Sequence, residues 1–491
     1  MNFTKCDKIL QRKFILWGDV MKDNMLDIML DIPDSDPFKR DVFGREYIAR
    51  NFMRIFNDEL DGLVVSIDSD WGTGKTTFIK MWESMIKNDL EYKDQYETLY
   101  FNAWDNDYMD EPLVALLSEI TLQTNKNTKL STCLNKFKEK GSKLIKPIVS
   151  TGVKIATSGV VNLDNVNLGD DVEKYLPELS GKLAESILDD AVKAKEIRNT
   201  FKKEMEEYQS SSSKKVIFFI DELDRCRPTF AIKLLETIKH LFSMKNIIFV
   251  IALDKEQLSY SISTIYGEGM DTTGYLRRFF DLDYKLPNIN REVYIDLKNQ
   301  SNISKYANVE YFKEFLKVFI IHFKLSLRDI DKLYYYINIL VPLVEEFRDH
   351  PKNNVKEIVL SYLYAIFAVL KIKKPIIYKN IMNGTYSYSS DAILSELNLD
   401  DVPDINFSIS EEEILNIQIR DVLKDYLILN HKVIDGENIS GSKLYVVGIE
   451  EIREGHICIK NNANAILSYN MRELFKKNNR LSLRLDFIKD F

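Results

Sequence analysis

The sequence predicts an α/β fold, a parallel sheet with flanking helices, and three apolar runs together with their flanking segments predict it. Leu63-Val-Val-Ser-Ile67, Val216-Ile-Phe-Phe-Ile220 and Asn246-Ile-Ile-Phe-Val-Ile-Ala-Leu253 have the length and composition of strands covered on both faces, as in a parallel sheet. The first leads after a short turn into Thr77-Phe-Ile-Lys-Met-Trp-Glu-Ser-Met-Ile86, whose apolar residues recur at helical spacing. Strand, turn and helix are the order a phosphate-holding loop needs.

The turn reads Ser69-Asp70-Trp71-Gly72-Thr73-Gly74-Lys75-Thr76, close to GxxxxGK[ST], with Ser69 where that pattern has glycine. Serine turns the chain less freely than glycine if φ must be positive there. In such a loop, successive backbone N–H groups point at anionic oxygens, and the following helix N-terminus adds partial positive charge. Asp70, Trp71, Gly72, Thr73, Gly74, Lys75, Thr76 and Thr77 are therefore the candidate nucleotide-binding residues. Lys75 would reach the β and γ phosphates, and the Thr76 hydroxyl would ligate Mg²⁺.

The second run ends in Asp221-Glu222-Leu223-Asp224-Arg225-Cys226-Arg227-Pro228, placing acids at the carboxyl end of a strand, where ligands bind in sheets of this kind. Asp221 is the candidate Mg²⁺ residue, and Glu222 the first candidate to orient or deprotonate an attacking water, with Asp224 as the alternative. A solvated acidic turn is the plainer reading of this segment alone.

The loop Trp71-Gly-Thr-Gly-Lys-Thr-Thr-Phe78, the downstream Phe101-Asn-Ala-Trp104, and Ile220-Asp-Glu-Leu-Asp-Arg-Cys226 with its proline together resemble the KAP family of P-loop NTPases, from about Asp41 to Pro287. The resemblance implies ATP binding and hydrolysis with Mg²⁺ on an additional-strand P-loop fold, related to the signal-transducing ATPases with numerous domains (STAND). It also implies that Val42-Phe-Gly-Arg45-Glu46 is the short element lying near the adenine; a simple turn before a helix from Tyr47 to Phe56 remains the alternative. Asp254, after the third run, stands where related ATPases sense the γ phosphate, but a carboxylate there reads better as the start of the next helix or as an indirect cation contact. Arg225, Arg277, Arg278 and Arg328 are the arginines able to complete such a site, Arg328 from the start of a lid helix that Ser326 would cap. For each, an ordinary ion pair is the competing reading.

The chain has 491 residues, enough for two or three domains. The expected layout is an N-terminal helical segment (1–40), the P-loop domain (41–288) with a mostly helical insertion (128–213), a helical lid (289–390) and a small C-terminal α/β region (391–491). Asn383 to Phe407 reads as a linker or long loop, and Lys443 to Val447 and Leu481 to Phe487 as short strands. Many KAP proteins carry membrane helices in the insertion. Here the apolar stretch Leu144 to Val161 is interrupted by Lys146, Pro147 and Lys154, so no span is expected. Residues 129–154 hold seven lysines and one glutamate, and 164–190 eight acids and two lysines, an asymmetry that would let the insertion bind an anionic surface or, the better reading, let its two halves attract each other.

A net charge of −8 argues against a general electrostatic grip on nucleic acid and leaves a local patch open. Cys6, Cys133, Cys226 and Cys458 form no CxxC pair, which points to a reducing, cytoplasmic setting without zinc. No guanine-selecting NKxD element follows the acidic strand, since Asn125-Lys-Asn-Thr128 lies too early. Two functions fit. One is an ATPase acting as a switch or motor, a homo-oligomer working with a separate protein effector, with anti-phage defence as the role its resemblance suggests. The other is an oligomeric nucleotide-binding scaffold with little turnover that recruits an effector.

Overall fold

The structure, a computed structural model, describes residues 32–57, 62–109, 111–123, 129–136, 195–196, 199–239, 244–300, 310–345, 354–383, 390–408 and 414–434. The expectations for residues 1–31, most of the insertion and the C-terminal strands beyond 434 fall outside these residues. The described residues 32–45 form turns ahead of the first helix.

The chain divides into two compact units, Met1–Pro287 and Asn288–Phe491. In the first, α1 (Glu46–Phe56) precedes β1 (Leu63–Asp68), followed by α2 (Lys75–Asn88), β2 (Tyr96–Asn102) and α3 (Pro112–Gln123). Then come β3 (Lys215–Asp221), α4 (Pro228–Lys239), β4 (Ile247–Leu253), α5 (Lys255–Tyr266), α6 (Thr272–Leu276) and β5 (Leu282–Lys285). The five strands form one parallel sheet in the order β2-β3-β4-β1-β5. β4 thus separates the strand leading into the phosphate loop from the strand bearing the acids, as the additional-strand fold requires.

The alternation of strand side chains gives the sheet two cores. Val216, Phe218 and Ile220 of β3 face one core with Phe230 and Leu234 of α4 and Leu258 and Ile262 of α5. Ile217 and Phe219 face the other, with Phe52 and Phe56 of α1 and Phe78 and Trp82 of α2. Trp82 centres the second core: its ring stacks on Phe52 at 5.3 Å and Phe56 at 5.8 Å, and Phe219 meets it edge-on at 5.4 Å. All seven residues of β4 are buried, so its sequence is a continuous apolar run. The edge strands bury little, β2 only Tyr96, Leu99 and Phe101 and β5 no residue fully, which is why neither reads as a strand from apolar content.

Register places the functional strand ends together. Asp68 lies opposite Leu253, and Asn102 opposite Asp221, along the carboxyl edge of the sheet.

The second unit comprises α7 (Arg291–Lys298), α8 (Glu310–His322), α9 (Leu327–Glu345), α10 (Asn354–Lys373), α11 (Pro375–Asn383), α12 (Ser390–Leu397), an antiparallel β6 (Ile405–Ser408) and β7 (Ile414–Ile417), and α13 (Ile419–Ile434). Phe315 and Phe319 of α8 meet Tyr362 of α10 at 5.4 and 5.8 Å, and Phe367 meets Tyr426 of α13 at 4.8 Å. Ser326 and Asp329 cap α9 reciprocally: the Asp329 N–H donates to Ser326 Oγ at 3.2 Å and the Ser326 N–H to Asp329 Oδ2 at 3.1 Å. The stretch 383–407, expected as a linker, instead contains α12 and the start of β6. Ile393, Leu394 and Leu397 are buried at helical spacing, and these few apolar residues suffice in a polar surround. Among the described residues, no helix is long and apolar enough to cross a membrane.

Trp82→Ala is expected to cost about 3–5 kcal/mol of stability, read by urea unfolding, because a large buried ring cannot be replaced by relaxation of its four aromatic neighbours, Phe52, Phe56, Phe78 and Phe219. A loss below about 1 kcal/mol would mean that the core repacks.

Candidate functional site

The phosphate loop closes on itself through polar contacts. Gly72 (φ 72°) and Gly74 (φ 86°) occupy left-handed backbone, which allows the chain to turn from β1 into α2. Ser69 does not: the non-glycine residues with positive φ among those described are Glu222, Asn246, Lys324 and Asn398. Serine in place of the pattern's first glycine therefore carries no backbone strain. Its buried hydroxyl is 2.6 Å from Thr73 Oγ1, and Thr73 Oγ1 donates to the Asp70 carbonyl at 2.8 Å.

Lys75 begins α2 and is 9% exposed. Its Nζ donates to the carbonyls of Ser69 and of Asp70, the latter at 3.1 Å. Burial lowers its pKa, and Asp224, Asp254 and Asp221 oppose that shift. Thr76 and Thr77 come next on the first turn, half-buried.

Asp221, at the end of β3, is 1% exposed. Its carboxylate accepts from the Tyr100 hydroxyl at 3.0 Å and from the Glu222 N–H at 2.9 Å. Burial raises its pKa, while hydrogen bonds from Thr76, Tyr100 and Glu222 act the other way. Thr76 and Asp221, assigned to one ion from sequences far apart in the chain, thus do meet.

Glu222 has φ 59° and ψ 28°, a left-handed conformation that favours glycine and commonly marks a functional turn. One carboxylate oxygen pairs with Arg225 at 2.7 Å and the other accepts weakly from Asn102 Nδ2 at 3.4 Å. The Arg225 guanidinium lies 5.5 Å from the ring centroid of half-exposed Trp104. Arg225 therefore engages the glutamate and the tryptophan of the Phe101-to-Trp104 segment at once. Asp224, on a short 3₁₀ turn (Leu223–Arg225), is 5% exposed and accepts from Trp71 Nε1.

Arg45, expected near an adenine or in a plain turn, is 3% exposed and lies behind the loop. Its guanidinium donates to the Thr73 carbonyl at 3.1 Å and the Gly74 carbonyl at 3.4 Å. Burial lowers its pKa, countered by Asp41. Asp254 caps α5, accepting from the Gln257 N–H at 3.1 Å, as a helix start should. Burial raises its pKa, and the Gln257 N–H and Lys75 oppose that.

The arginines divide plainly. Arg225 is engaged by Glu222, Arg277 and Arg278 are exposed after α6, and Arg328 is exposed on the first turn of α9 in the second unit. Tyr100 joins the site without any mark in the sequence motifs, and Asn102, inside the Phe101-to-Trp104 segment, without a role assigned to it. Their signal is the register of β2 against β3, legible only once β2 is known to be a strand. Among the described residues no His/Cys/Asp/Glu group forms a metal centre of its own, and Cys226 is a buried free thiol whose pKa burial raises.

The family model for the KAP family P-loop domain matches residues 45–344, more than half of the chain. The chain belongs to the KAP family. The match begins at Arg45 and runs past the first unit through α9, so the family's domain takes in the first helices of the second unit. An uncharacterized protein of Methanocaldococcus jannaschii is 29% identical over 170 residues, covering 31% of this KAP chain and 87% of the relative. The solved structure of the Aeropyrum pernix ORC2 protein, in ADPNP-ADP complexes, aligns with 80% of this chain and 95% of that one at 11% identity and a TM-score of 0.31, too loose a likeness to support any assignment. The KAP assignment, the parallel five-stranded sheet and the phosphate loop together make this a nucleotide-binding P-loop NTPase domain.

Arg45→Ala is expected to destabilise the first unit by about 2–3 kcal/mol in urea unfolding, since two loop carbonyls lose a buried charged donor. Arg45→Lys should recover less than half of that, because one ammonium cannot reproduce the planar fork. Full recovery by lysine would show that only the charge matters.

Proposed function

We propose that this KAP protein binds ATP with Mg²⁺ and hydrolyses it, passing the change of state to its C-terminal helices. One observation carries the reading: a buried lysine whose ammonium donates to two carbonyls of its own glycine loop, beside a buried aspartate that the following threonine touches. Nothing in a purely structural role requires a buried ammonium among Asp221, Asp224 and Asp254. A bound polyphosphate does.

In this reading the N–H groups of Asp70 to Thr77 and the Lys75 ammonium take the β and γ phosphates. The donor set of a threonine hydroxyl and a buried carboxylate suits Mg²⁺, so Thr76 and Asp221 would hold it, partly through water. When bound, Mg²⁺ supplies neutralising charge to the phosphate oxygens. Glu222 takes the proton of the attacking water, whose oxygen bonds to the γ phosphorus as the bond to the β–γ bridging oxygen breaks, releasing ADP and phosphate. To do so Glu222 leaves Arg225 and Asn102. Arg45 supports the loop from behind. Arg328 is the arginine proposed to complete the site, on its position at an exposed helix start.

The same pairing of Glu222 with Arg225 favours a second reading, a nucleotide-binding scaffold with little turnover. Rates decide between them. Wild-type hydrolysis should exceed that of Lys75→Ala and Glu222→Gln by at least about a hundredfold; three preparations indistinguishable from the blank would leave the scaffold reading.

A homo-oligomer working with a separate protein effector is proposed on family grounds, with anti-phage defence as the role, tested by plaque counts on hosts carrying wild type or Lys75→Ala. If a neighbouring copy supplies an arginine, specific activity rises with protein concentration and mass grows with ATP. Independently of any neighbour, Arg328→Ala, as loss of a sensor on the lid helix, should reduce kcat roughly tenfold or more with little change in KM. A strict monomer with a concentration-independent rate would count against the oligomer, and an unchanged kcat against Arg328.

A further inference from the structure

Trp71 sits in the middle of the phosphate loop with its side chain 47% exposed, so burial of the ring does not explain a tryptophan there. Its indole N–H does. Nε1 donates to Asp224 Oδ2 across 153 residues of sequence, joining the loop after β1 to the turn after β3. The acceptor is well anchored: Asp224 is 5% exposed, and its neighbour Leu223 is fully buried in the core beneath the sheet.

Asp224 has a second feature. Its other oxygen, Oδ1, is buried and has no hydrogen-bond partner. A buried carboxylate oxygen without a donor is costly, and such atoms in native structures have a purpose or a missing partner. Asp224 also leads the carboxylates that favour the charged form of Lys75, so it stands close to the ammonium that would meet the phosphates. The loop's other side-chain contacts run within the loop, back to Arg45, or from its last residue Thr76 to Asp221: Ser69 with Thr73, Thr73 with Asp70, Lys75 with Ser69 and Asp70.

We propose that Trp71 and Asp224 form a latch that positions the phosphate loop against the acidic turn, so that the two halves of the nucleotide site are set as one body. Asp224 is here a positioning residue acting through the indole, with Oδ1 left to receive a donor brought by bound nucleotide, such as a water on its phosphates. Phenylalanine at position 71 would keep the ring and lose the donor. Asparagine at 224 would keep an acceptor and lose the charge. A tryptophan in the loop and an aspartate after the acidic strand belong together because neither has its partner without the other.

The latch rests on the proposed ATP site, so the test has one arm that needs no nucleotide. In full-length protein, amide exchange of residues 69–76 is measured without ligand, and the Kd for a non-hydrolysable ATP analogue with Mg²⁺ is measured by calorimetry. Both are carried out on wild type, Trp71→Phe, Asp224→Ala, the double variant and Asp224→Asn. Each of Trp71→Phe and Asp224→Ala should speed exchange and weaken the analogue roughly tenfold, as loss of a charge-assisted hydrogen bond does. The double variant should be no worse than the worse single one, and Asp224→Asn should regain most of both effects. If Asp224→Ala does not fold, Asp224→Ser serves, its hydroxyl being too short to reach the indole. Additive effects, or asparagine behaving like alanine, would overturn the latch, as would exchange rates unchanged in every variant. Coupled exchange in a protein that binds no analogue would uphold the latch and remove the ATP reading.

Discussion

The buried ammonium of Lys75 is the constraint on which the site depends. A charge at 9% exposure needs acceptors, and it finds them in the carbonyls of Ser69 and Asp70, which folds the loop over its own lysine. That fold requires Gly72 and Gly74 in left-handed backbone, with Ser69 and Thr73 tied hydroxyl to hydroxyl. The outer carbonyl of Thr73 then finds its donor in buried Arg45, from the turn before α1, which also reaches the Gly74 carbonyl beside the Phe78 N–H. The surrounding aspartates offset the desolvation that lowers the lysine's pKa.

The sheet makes this arrangement possible. Because β4 lies between β1 and β3, the acids of β3 stand one strand away from the phosphate loop, leaving a gap that side chains must bridge. Thr76 bridges it to Asp221 and Trp71 bridges it to Asp224. On the far side of β3, Tyr100 and Asn102 of β2 reach Asp221 and Glu222, and Arg225 draws Glu222 towards Trp104. Asp221 therefore stands beside Thr76 while Glu222 is engaged by Arg225 and Asn102. In the proposed mechanism this difference separates binding from turnover.

The buried parts of the first unit are legible in the sequence and the edges obscure, for a physical reason. β1, β3 and β4 are covered on both faces and so are written as near-continuous apolar runs, that of β1 broken only by the buried Ser66, and the loop and acids stand at their ends. β2 and β5, at the edges, mix polar with apolar residues, bury few of them and escape a search for apolar runs, and with β2 goes the role of Tyr100, while Asn102 is visible in the sequence without one. Asp254 and Ser326 read correctly as helix caps because capping is local chemistry. Arg45 stands out in the sequence as a candidate, but its grip on carbonyls 28 and 29 residues away depends on the fold and leaves no local mark. The segment 383–407 reads as a linker although it holds a helix, since three apolar residues in a polar stretch carry little periodic signal.

The most direct measurement is a structure with Mg²⁺ and a non-hydrolysable ATP analogue. The account predicts that the Lys75 ammonium leaves the Ser69 and Asp70 carbonyls for the β and γ phosphates, and that the ion sits between Thr76 and Asp221. Nucleotide bound elsewhere, or Lys75 unmoved on its own loop with the analogue present, would contradict it.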